Sequence, residues 1–107
     1  MTAFNDRENA FENKFALDEE LRFKAMARRN KLLGLWAAER LGKSGPDAEA
    51  YAKSVILADF EEVGDADVLR KVLGDLQVGG QNVPEGELRA KMDELAARAV
   101  EDVKAGR

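Results

Sequence analysis

The chain has 107 residues, 45% of them hydrophobic and 36% charged, with a formal net charge of −4 and neither cysteine nor histidine. That length suits one domain able to bury roughly two-thirds of its unfolded surface, and the balance is too apolar for a disordered chain and too charged for a membrane protein. The two missing residue types exclude disulfides, thiolate nucleophiles, zinc–sulfur sites and imidazole proton transfer.

No calcium-type D-x-D-x-D-G loop is present either. No catalytic, metal-binding or cofactor-binding residues are therefore expected, and the chain reads as a binding protein rather than an enzyme. Residues 44–107 hold fourteen acids and eight bases, and residues 1–43 hold nine bases and seven acids. A nucleic-acid binder would carry a stronger basic excess and a reading motif, so no nucleic-acid partner is expected. No apolar run approaches the ~20 residues of a membrane span, and the start of the chain is charged at once, unlike a secretory signal. A cytoplasmic location follows.

Residues 1–17 form an arm ahead of the rest. Asn5 and Glu8 stand in the relation of a capping box, and Phe4, Phe11 and Phe15 follow at spacings of seven and four, along one side of a helix. Asp6, Arg7, Glu8, Glu12 and Lys14 surround them. Two readings stay open: the stripe extends the first helix and packs on the bundle, or it is an amphipathic ligand for a groove on a partner. The mixed polar face and thin apolar content argue against direct membrane insertion.

A bundle domain is expected over 18–107. The first helix stops at Gly42. It carries one apolar stripe of Phe23, Met26, Leu33, Ala37 and Leu41, and a second of Leu21, Ala25, Leu32 and Trp36. Trp36 is expected to be buried. The cluster Arg28-Arg29-Asn30-Lys31 reads as solvated charge toward the C-terminal side of a helix with an acidic start.

The second helix opens at Gly45-Pro46, with Ala48, Tyr51, Ala52, Val55, Ile56, Phe60 and Val63 on one face, and ends at Gly64. Asp59 lies at the edge of that face as a half-buried, paired carboxylate. Asp65 caps the third helix, whose apolar face is Val68, Leu69, Val72, Leu73 and Leu76, and Gly79-Gly80 stops it. Pro84 starts the fourth, with Leu88, Met92, Leu95, Ala96, Ala99 and Val103 facing inward. No segment alternates with the period of a strand. The fold class is all-α: a compact antiparallel four-helix bundle with a long first helix and short loops.

Phe4-x-Asp6-Arg7-Glu8-x-Ala10-x-Glu12-x-Lys14-Phe15-Ala16, Phe23-Lys24-Ala25 and Arg28-Arg29-Asn30-Lys31-Leu32-Leu33-Gly34-x-Trp36-Ala37-Ala38 make a signature. It continues through Tyr51-Ala52, Asp59-Phe60-Glu61, Gly64-Asp65-x-Asp67-Val68 and Arg89-x-Lys91-Met92. The whole resembles the zeta-subunit family of ATPase inhibitors associated with F-type ATP synthases of alphaproteobacteria. The resemblance implies a four-helix bundle with a mobile N-terminal inhibitory segment, whose helix enters a catalytic subunit interface of the synthase head, among the alpha, beta and gamma subunits, and blocks ATP hydrolysis. It places the partner contacts on Phe4, Arg7, Glu8, Phe11, Glu12, Lys14 and Phe15. It also implies a peripheral position at the inner membrane, through the synthase. The competing expectations are a helical adaptor that binds the synthase or another complex without inhibiting it, and a weak nucleotide-binding regulator.

Overall fold

A computed structural model describes residues 19–59 and 64–106. The stripe of Phe4, Phe11 and Phe15, the whole arm, and Phe60 and Val63 lie outside the described residues. Four helices follow in order: α1, Glu19–Arg40; α2, Gly45–Ala58; α3, Ala66–Val78; and α4, Glu85–Lys104. Among the described residues there is no strand. The expected all-α four-helix bundle is what the chain forms.

At 1.5 Å per residue, α1 is about 33 Å long and is the spine of the bundle, packing most extensively on α2 and α4. Arg28, in its first half, meets Asp102 near the end of α4, Trp36, in its second half, meets Lys91 near the start of α4, and Gly34 meets Ala52 in the middle of α2. Leu41, just past its end, lies against Gly79 at the end of α3. Helix α1 is therefore antiparallel to α4 and parallel to α3. The core comprises Leu33, Ala37, Val55, Val68, Leu69, Val72, Leu76, Val83, Leu88, Met92 and Leu95. A smaller cluster of Ala25, Ala96 and Val100 lies toward the start of α1.

The crossing of α1 and α2 depends on small residues. A Cβ added at Gly34 would stand 2.6 Å from the Ala52 Cα, a backbone atom that cannot swing aside. Ala37, Ala38 and Ala52 are likewise buried. Close helix approach here is set by side chains that are nearly absent.

Several boundaries and environments differ from the sequence expectation. Helix α2 ends at Ala58, with Asp59 as its C-cap, rather than at Gly64. Gly64 has φ +90°, so it is a turn residue. Asp65 sits at the N-cap position of α3 but makes no capping hydrogen bond with its side chain, because its carboxylate is drawn into ion pairs. Pro84 is the N-cap of α4 rather than its first residue. The α3 face is as expected, although Leu73 is only partly buried.

The largest departures are in α1. Phe23, expected in an apolar stripe, is 56% exposed. Trp36 is only partly buried against the core. The Arg40 guanidinium stands 4.6 Å from its ring centroid and the Lys91 ammonium 5.8 Å, so the ring meets cations as well as the core. Arg29 is 1% exposed, not solvated, and Arg28 is half-buried. The inward face of α1 thus passes through Ala25, Arg29, Leu33 and Ala37, and one of its members is a charge.

Candidate functional site

Two places in the described bundle hold unusual chemistry. The first is a polar lock where α1, α3 and α4 meet beside the α2–α3 connection. Arg29 Nε and Nη2 donate to Asn30 Oδ1 at 3.1 and 2.9 Å, and Arg29 Nη1 lies 3.8 Å from Asp65 Oδ2. Arg89 Nη1 reaches Asp65 Oδ1 at 3.3 Å, so Asp65 joins α1 to α4 from the start of α3. The neighbouring carboxylate of Asp67 accepts the Val68 N–H at 2.8 Å. Buried ions need such partners because desolvation alone costs several kcal/mol each.

Asp59, at the end of α2, belongs to the same cluster. Burial pushes its carboxyl above the usual carboxylate range; Arg29 and the Asn30 amide oppose that, and the Asp67 and Asp65 charges reinforce it. Asn30 Nδ2 and Asp59 Oδ1 do not meet in a well-formed hydrogen bond, and each is buried without another partner among the described residues. The expected half-buried carboxylate is present, but it is imperfectly paired. Nothing here resembles a catalytic constellation. Among the described residues no group of three acidic side chains is arranged to hold a metal ion. Through Arg29, Asp65 and Arg89 the lock ties α1, the start of α3 and α4 together.

The second place is an open groove of about 440 Å³ beside the start of α1, with Leu21, Phe23, Ala27, Ile56 and Val103 among its lining. Lys24, Arg28 and Lys31 follow at helical spacing along its α1 side. Lys24 pairs with Glu20 at 3.4 Å, and Arg28 with Asp102 at 3.0 Å. Lys31 and Ile56 continue into a second shallow groove that also holds Lys53 and Glu49. Neither Lys31 nor Lys53 pairs with a carboxylate among the described residues.

The sequence-derived contact residues Phe4, Arg7, Glu8, Phe11, Glu12, Lys14 and Phe15 all lie outside the described residues. The groove was not foreseen. Its sequence signal was the pairing of Phe23 with Lys24, Ala27 and Lys31, which looked like the ordinary edge of a core stripe. No helix among the described residues is long and apolar enough to cross a membrane.

The described residues thus form a charged, all-helical bundle with a surface groove rimmed by Lys24, Arg28 and Lys31. The model of the family described as ATPase inhibitor subunit zeta matches residues 1–102. The chain belongs to that family. It is also similar to a protein of 55% sequence identity solved by solution NMR, with a TM-score of 0.72; the match covers 81% of this chain and 99% of that one. No curated protein sequence matches it. The family is the one the Arg28–Ala38 signature resembled.

Proposed function

We propose that this protein is a non-catalytic inhibitor of ATP hydrolysis by an F-type ATP synthase, and that residues 1–17 act as the inhibitory ligand. The observation that carries the proposal is that the family match begins at residue 1 and so takes in the arm. The arm's own chemistry supports it. Phe4, Phe11 and Phe15 are aromatic anchors for an apolar pocket at a catalytic subunit interface of the alpha, beta and gamma head. Arg7, Glu8, Glu12 and Lys14 supply polar contacts around them. The bundle then acts as a body too wide to follow the arm, fixing how deep it enters. On this reading the protein is cytoplasmic and peripheral, held near the membrane only through the synthase.

Hydrolysis by the purified synthase head, titrated with the whole protein, tests the proposal. Turnover falls if the chain is an inhibitor, and Phe11→Ala or Phe15→Ala each weakens inhibition by about 2 kcal/mol or more if its ring is a buried anchor. Binding that leaves turnover unchanged identifies an adaptor instead.

A further inference from the structure

We propose that the groove at the start of α1 is the resting dock of this chain's own residues 1–18, which fold back on the bundle when no synthase is present. The dock matches that segment in charge, in polarity and in length. Its floor is apolar (Phe23, Ala27, Ile56); Lys31 stands along its edge and Lys53 in the shallow groove that continues from it, two cations without a carboxylate partner among the described residues. Residues 1–18 carry four acids against two bases, together with three phenylalanines at helical spacing. The groove follows α1 from Leu21 to Lys31, about 15 Å of helix, and Phe4 to Phe15 in helical form spans about 16 Å. Ala16, Leu17 and Asp18 remain to reverse the chain, a usual length for a loop between antiparallel helices.

Tethering makes weak complementarity sufficient. A segment joined directly to its dock experiences an effective concentration in the millimolar range, so even a millimolar site is substantially filled. The consequence for function rests on the reading above, that the arm is the inhibitory ligand. A docked arm must leave the groove to enter the synthase, so the apparent inhibitory affinity is reduced by the undocked fraction. The groove would then set how readily the inhibitor engages.

The chain has no cysteine, so a single nitroxide label can be placed by Asn9→Cys in the otherwise complete protein, free of synthase. If the arm folds back, amides of Arg28, Lys31 and Ile56 are broadened, and Lys31→Glu with Lys53→Glu removes that broadening while the rest of the spectrum keeps its dispersion. A straight continuation of α1 instead puts Asn9 about 33 Å from Lys31, leaves those amides sharp and overturns the proposal. Broadening from labelled to unlabelled copies overturns it too, because the occupant is then a second molecule. These readings hold whether or not the arm inhibits. In the hydrolysis assay, the double charge reversal strengthens inhibition severalfold if the groove competes for the arm. Weaker or unchanged inhibition contradicts that competition, and weaker inhibition assigns the groove to the synthase interface.

Discussion

The two halves of α1 are built to opposite specifications. From Leu33 to Ala38 the helix is a seam, with Leu33, Ala37 and Ala38 fully buried and Gly34 pressed against Ala52. From Leu21 to Lys31 it is half surface, with Phe23 exposed, Lys31 without a carboxylate partner among the described residues, and Arg29 buried beside Asn30 and Asp65. One continuous helix therefore serves as scaffold at one end and as an interaction surface at the other. Burial in the first half is determined by volume, because apolar contact rewards close packing. Burial in the second is determined by charge pairing, because Arg29 stays inside only while Asp65 and Asn30 receive it.

The sharpest way to break this comparison is to remove the buried charge. Arg29→Ala leaves a cavity and deprives Asp65 of one of its two cations, so chemical denaturation should show a loss of about 3–5 kcal/mol. A loss below about 1 kcal/mol would mean that Arg29 is solvated after all and that the two halves are alike. In the seam, Gly34→Ala should destabilise by about 1–3 kcal/mol through overpacking, although alanine has the better helix propensity by about 1 kcal/mol. A stabilised variant would show that α1 and α2 are not in close contact at this point.

The smallest effect concerns Asp59. Its folded-state pKa is raised, first by burial, so its contribution to stability is fully present below the ordinary carboxylate pKa near 4. That contribution is lost as pH rises through the higher folded value. Asp59→Asn removes the ionisation. It should flatten the stability profile above pH 4 and raise the melting temperature slightly near neutrality. A steeper profile, or a lower melting temperature at pH 7, would mean that the ionised carboxylate is a net stabiliser of the lock.

The helices were legible because their punctuation is strong. Gly42, Gly45-Pro46, Gly79-Gly80 and Pro84 bracket apolar positions at clean helical spacing, and the faces of α3 and α4 came out almost residue for residue. Helix α1 was harder. Its period identifies the line Ala25, Arg29, Leu33, Ala37, but side-chain chemistry argued Arg29 outward, and only the carboxylates brought from α3 and from the end of α2 reverse that argument. Phe23 misled in the other direction, since an aromatic on a helix usually signals core. Trp36 was read as buried because it adjoins Leu32 and Leu33, yet Arg40 and Lys91 flank its ring, and its indole lies at the edge. The groove depends on α1, α2 and α4 together, so no single stretch of sequence displays it.

If the molecule is a stable bundle carrying an inhibitory arm, deletion of residues 1–17 separates the two. Helical circular dichroism and melting temperature of the shortened protein are measured beside inhibition of ATP hydrolysis by the synthase head. The bundle should keep its helicity and melt within a few degrees of the whole chain, because Leu33, Val55, Val72, Leu76 and Met92 pack together within the four helices themselves, while inhibition should be largely lost. A shortened protein that unfolds, or one that inhibits as well as the whole chain, would contradict that division.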